Sequence, residues 1–181
     1  TSLVLLQAQQ KLNEFATPMS PRYATVNPAA NAGLVEGMKG LFNPTDTVSR
    51  QFKNGMMGTG VLGFDEINMS QSIGMHTTGA WGTTITSTGT LSTQGQATLP
   101  ISFTGSSKTW KQGDVFTIAG VYAVNPQTRQ STGSLQQFVV TADLTASSTG
   151  TLSISPPIYT ADHALATVDA FPQATAVVTM L

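Results

Sequence analysis

Residues 110–125 read WKQGDVFTIAGVYAVN, a Gly-Asp turn that launches a long run of β-branched and aromatic residues broken once, at Ala119-Gly120. Side chains alternate across a strand with period two, so Val115, Ile118 and Val121 cannot share one face unless an extra residue is inserted between them. An insertion at Ala119-Gly120 is a β-bulge, which coils the strand. Asp114 stands where a turn carboxylate accepts backbone N–H bonds. The pattern repeats outward in TLPISF (98–103), LQQFVVT (135–141) and TLSISPPI (151–158), each bounded by Gly, Ser, Thr or Pro. Four short strands punctuated in this way predict a closed or nearly closed all-β module.

The chain has 181 residues and no cysteine, and charged residues make up 9% of it. An average soluble domain carries roughly 25%, and here Thr, Ser, Gln and Gly occupy the places charges would take. Such a surface repels copies of itself weakly. A net charge of −1 with no basic cluster argues against specific nucleic-acid binding, which needs several cations to displace counterions from phosphates. Lack of cysteine removes disulfides, thiol catalysis and Cys-bearing zinc sites, and fits assembly in a reducing cytoplasm. No apolar run approaches the roughly 18 residues of a membrane span. The chain opens without Met in a helical periodicity, with Leu5, Ala8, Leu12 and Phe15 on one face, and closes on the strand-like ATAVVTML. Both ends are expected to continue in a longer parent.

After that helix, Thr17-Pro18 and Ser20-Pro21 break the pattern and RYATVN (22–27) alternates like a short strand. Asn27 caps a second helix with Pro28 at its first position, a buried stripe of Leu34, Val35, Met38, Leu41 and Phe42, and a stop at Asn43-Pro44. A third, shorter helix is expected over DTVSRQFKN (46–54), capped by Thr45 or Asp46 and ended by Gly55. GVLGFDEINMSQSI (60–73) is extended. From about Trp81 to Gln96 the chain becomes a Thr/Ser/Gly tract, a β ribbon or a flexible joint, where limited proteolysis is expected to cut first. The organisation expected is α+β and β-rich: residues 1–80 a mixed α/β core portion, 81–160 an inserted β-barrel, and 161–181 a segment and strand returning to the core. A barrel of about 60 to 80 residues buries only about 60% of its unfolded surface and is marginal alone.

Several constellations invite a chemical reading. Gly58, Gly60 and Gly63 have the G-x-G-x-x-G spacing of a dinucleotide site, but no buried strand precedes them, no helix follows, and no acid stands about 20 residues on. A glycine-rich turn is the better reading. Gly33 and Gly37 form a G-x-x-x-G pair in a helix too short for lipid, which points to close helix packing. His76 and His163 lack metal or triad spacing and read as packed or solvated. Asp65-Glu66 point to opposite faces of a strand, unlike the paired carboxylates of a hydrolase, and suit a solvated turn or an intersubunit ion pair. Trp81 and Trp110 flank the polar tract and read as packing at the root of the insertion. No catalytic, cofactor or metal residue is expected.

KQGDVFTIAGVYAVN, QQFVVT and GTLSISPPI, with RYATVNP, GVLGFDEI and ATAVVTML more loosely, resemble the coat proteins of tailed bacteriophages in the gene-protein-5 group of short-tailed Salmonella-type phages. The resemblance implies a partial phage capsid (Johnson) fold platform carrying an inserted small β-barrel. It implies too that the amino-terminal arm, the extended loop and much of the peripheral domain have no counterpart here. The function implied is a structural one: a major capsid protein fragment that builds an icosahedral phage or prophage shell by self-assembly, and not an enzyme. Its partners would be copies of itself, scaffolding protein, portal and, passively, packaged double-stranded DNA, with no membrane and no cofactor. Assembly would take place in the bacterial host cytoplasm. The rival is a Thr-rich β binding module of an adhesin, tail or decoration protein. That rival should not need the helices before residue 55 and should display an exposed aromatic platform.

Overall fold

The computed structural model describes residues 2–38, 59–82 and 84–181. The fold is α+β and β-rich, and the chain divides into two compact units, Thr1–Met75 and His76–Leu181. The expected helix over 46–54 with its end at Gly55 lies outside the described residues, as do Leu41, Phe42 and the stop at Asn43-Pro44 of the second helix, and Gly58.

In the first unit, α1 (Ser2–Glu14) lays Leu5 and Leu12 against a small core of Leu34, Phe64 and Ile67. It ends in a Schellman turn: Ala16 takes φ +53°, Thr17 N donates to Leu12 O and Ala16 N to Asn13 O. β1 (Tyr23–Val26) follows, then α2 (Pro28–Met38), whose first turn is capped by Asn27 Oδ1 accepting from Ala30 N at 2.7 Å. β2 (Thr59–Val61) and β3 (Phe64–Met69) form a hairpin, and β1 pairs with β3 in parallel, giving the order β1-β3-β2. Gly60 and Gly63 belong to this hairpin. Leu62 (φ +54°) and Gly63 (φ +78°) are its two turn residues, the left-handed pair a tight hairpin needs. Neither glycine opens a helix, which removes the dinucleotide reading on structural grounds.

The second unit is a closed barrel of order β10-β5-β4-β11-β7-β8. Its strands are β4 (Ile85–Ser87), β5 (Gln96–Phe103), β7 (Val115–Val124), β8 (Ser131–Val140), β10 (Thr149–Ile158) and β11 (Val177–Met180). A two-stranded ribbon of β6 (Lys108–Trp110) and β9 (Leu144–Ala146) stands beside it. Leu99, Ile101, Phe116, Ile118, Val121, Phe138, Val140 and Leu152 fill the interior, all fully buried. Trp110 closes one end edge-on to Phe103, ring centroids 5.2 Å apart. The bulge in β7 falls where alternation required it: Gly120 has φ +77°, and the β7–β8 register shifts between Thr117 and Tyr122.

Two expectations are corrected here. The Thr/Ser tract is neither a free joint nor a separate ribbon, because Ile85–Ser87 is a barrel strand between β5 and β11. Ser87 is buried there; its hydroxyl donates to Gln173 O at 2.7 Å and accepts from Ala176 N. The strand in ATAVVTML does not return to the first unit, since Val177–Met180 inserts between β4 and β7 and completes the barrel. The segment before it is also folded onto the barrel, with Val168 fully buried and bridged to Ala123. Alternating apolar residues specify a strand with one buried face, but carry no address for the sheet it joins.

Candidate functional site

The chemistry-bearing side chains of the second unit gather at the turn before β7. Gly113 takes φ +100°, which lets Lys111–Asp114 fold tightly enough for Asp114 Oδ2 to accept from Lys111 N at 2.8 Å. The same carboxylate accepts from Gly79 N at 3.1 Å and from His76 Nε2 at 2.8 Å. Against an ionised acceptor, Nε2 is the nitrogen that carries the proton. Burial alone would raise the Asp114 carboxyl, whose side chain is 1% exposed; the hydrogen bonds from Lys111 N, His76 and Gly79 N outweigh it and hold the group below its ordinary value. The sequence placed Asp114 correctly as a turn acceptor, but gave no sign of His76 or Gly79, which lie more than thirty residues away.

A second carboxylate flanks the turn. Asp143 accepts from Lys111 Nζ at 2.6 Å and from Gln112 N at 2.8 Å. The Lys111 hydrogen bond is the main reason that the Asp143 carboxyl is lowered and the Lys111 ammonium raised. Both side chains are more than half exposed, so water screens the pair.

A histidine meeting a buried carboxylate supplies two of the three members of a hydrolytic triad, and the rest of the geometry decides its use. Both Asp114 oxygens are occupied by donors, two of them backbone N–H groups, so the carboxylate closes a turn. Among the described residues no Ser or Thr hydroxyl is hydrogen-bonded to the other nitrogen of His76. Among them, too, no three His, Cys, Asp or Glu side chains are grouped to hold a metal ion.

His163 lies elsewhere. Its ring stacks on Tyr159 at 4.4 Å and its Nδ1 accepts from Leu165 N, so it is packed within its own loop. That loop borders a shallow depression with Pro126, Arg129 and Pro157, where Arg129 Nη2 donates to Ala164 O at 3.2 Å. Trp110 is wholly buried and Trp81 packs partly against the core, so neither offers a stacking platform. Asp65 and Glu66 are not a catalytic pair: Asp65 Oδ2 accepts from Arg22 N at 2.6 Å and holds the approach to β1. The Arg22 side chain, also missed in the sequence, is buried and spreads its guanidinium over Pro18 O, Thr17 O and Asn13 Oδ1.

The family model "P22 coat protein - gene protein 5" matches residues 4–181. The chain belongs to the P22 coat protein family. This coat protein therefore has a structural role in the bacteriophage capsid, and the adhesin reading is set aside. Among curated proteins none matches it. Among solved structures it is similar to the CUS-3 coat protein I-domain, at 30% identity over 56% of this chain and 97% of that one, with a TM-score of 0.41.

Proposed function

We propose that this coat protein builds an icosahedral shell by repeated contact with copies of itself, the barrel acting as a semi-independent module of the subunit. The observation that carries the proposal is the family match over residues 4–181. Composition supports it: with 8 basic and 9 acidic residues in 181, faces can meet without desolvating many charges. Symmetry then multiplies individually weak patches into a stable shell. The barrel's closed ladder leaves no free strand edge in that sheet, so its contacts are made through side chains and loops, which suits fixed geometry over fibre-like growth. Scaffolding protein and portal are the assembly partners this reading entails, packaged double-stranded DNA is a passive neighbour, and assembly takes place in the host cytoplasm. The work of the molecule is assembly and not catalysis.

Expression of the gene that encodes this chain followed by electron microscopy tests this. Closed shells are expected. Soluble monomers under every assembly condition, with glycan binding in their place, would overturn it.

A further inference from the structure

The segment His76–Ala80 runs across the end of the barrel as a strap, and nearly all that holds it there is polar. His76, Thr77, Thr78 and Ala80 are exposed and contribute nothing to the barrel's apolar core. Ala80 is tied to the edge of β6, its N–H donating to Thr109 Oγ1 at 3.0 Å and its carbonyl accepting from Thr109 N at 3.3 Å. The other anchor is Asp114, through His76 Nε2 and Gly79 N. Gly79 must be glycine for the strap to lie so close, since a Cβ there would stand 2.2 Å from Thr109 O. The His76 ring likewise lies over Gly113, where a Cβ would come within 3.2 Å of it.

We propose that Asp114 is an acid-sensitive clasp: its carboxylate holds His76–Ala80 against the end of the barrel, and neutralising it releases that strap while the barrel stays folded. The charged and titratable groups around it are few. His76 faces it from the strap; Lys111 lies in its own turn with its ammonium engaged by Asp143, and both border the same depression as the strap. A protonated Asp114 carries its hydrogen on an oxygen to which a neighbour already points a donor, so the neutral carboxyl cannot accept from His76, Gly79 N and Lys111 N all at once, and the bonds it keeps are no longer to a charged acceptor. The barrel does not depend on those two bonds. Its ladder from Gly113 N to Val140 O and Val140 N to Asp114 O uses backbone atoms alone, and its core lies beneath.

Amide hydrogen exchange of the full chain, followed residue by residue by NMR from about pH 6 to about pH 3 and corrected for intrinsic rates, reads strap and barrel separately. Protection of the Gly79 amide should fall roughly tenfold or more along the acid limb, as loss of a bond to a charged acceptor implies, while the β7 and β8 amides keep theirs. In Asp114→Asn, Gly79 should already be open at neutral pH. His76→Ala, which leaves both backbone donors on the carboxylate, should weaken Gly79 protection by a smaller factor and gives the comparison if Asp114→Asn does not fold. Gly79 protection that is constant with pH, that is unchanged in His76→Ala, or that is lost together with the barrel amides would overturn the proposal.

Discussion

Phe116 and Phe138 are directly opposed across the β7–β8 ladder, their rings stacked inside the barrel with centroids 5.7 Å apart and planes 25° apart. Both are fully buried. Truncating one leaves a cavity that a closed sheet cannot collapse around, so Phe138→Ala should cost about 3–5 kcal/mol. Against a domain stability of about 5–15 kcal/mol, that is enough to put the barrel near its unfolding limit. Denaturant unfolding followed by tryptophan fluorescence, with Trp110 as the buried reporter, measures it; a loss under 1 kcal/mol would mean the rings are not the centre of the core.

Two glycines of the barrel unit separate conformational from steric cost. Gly120 has φ +77° and open space around its missing Cβ, so Gly120→Ala should cost about 1–2 kcal/mol, from the left-handed backbone alone. Gly79→Ala adds a methyl against the Thr109 carbonyl, and should displace the strap with little change in the barrel's own unfolding midpoint. Urea midpoints for both variants, with exchange of the strap amides, distinguish the two effects.

Ala16 occupies the left-handed position that closes α1, at φ +53°. A glycine there adopts the same angle without the Cβ clash, so Ala16→Gly should stabilise the first unit by about 1 kcal/mol. A thermal shift downward in this variant would show that the turn is not formed.

Arg22 satisfies three oxygens with one planar fork, 2.7 to 2.9 Å away. Lysine has one ammonium and cannot span Pro18 O, Thr17 O and Asn13 Oδ1 together. Arg22→Lys should therefore destabilise the first unit by about 1–3 kcal/mol, the cost of leaving part-buried acceptors unmade. Equal stability of the two proteins in urea would contradict this.

Asp114 also sets a pH dependence. Its folded-state carboxyl is lowered, so its contribution to stability is complete above the unfolded carboxylate value and is lost as pH falls through the folded one. The difference in melting temperature between the unsubstituted protein and Asp114→Asn should be flat from neutrality to about pH 5 and shrink below about pH 4. A difference that grows in acid would reverse the assignment.

Much of the barrel was legible because turn residues punctuate it. The Gly-Asp turn, the bulge at Ala119-Gly120 and the strands around residues 98–103, 135–141 and 151–158 all follow from local chemistry that needs no distant partner. Asn27 and Pro28 announced α2 for the same reason. What stayed hidden was non-local. Ile85–Ser87 looked like polar linker because one face of a three-residue strand offers too few apolar positions to show a period. The His76–Asp114 contact spans 38 residues and has no spacing signature. Arg22 binds backbone carbonyls, which every residue carries, so no complementary residue type betrays it.

The placement of β11 sets a schedule for synthesis. β4 is made more than ninety residues before the strand that pairs with it, since Ile85 and Thr86 meet Val178 and Val177. Until β11 has left the ribosome, β4 and β7 each present an unsatisfied edge, and the nascent sheet can recruit a strand from another copy of the chain. A coat protein made in quantity is thus most prone to mispairing in the interval before β11 emerges.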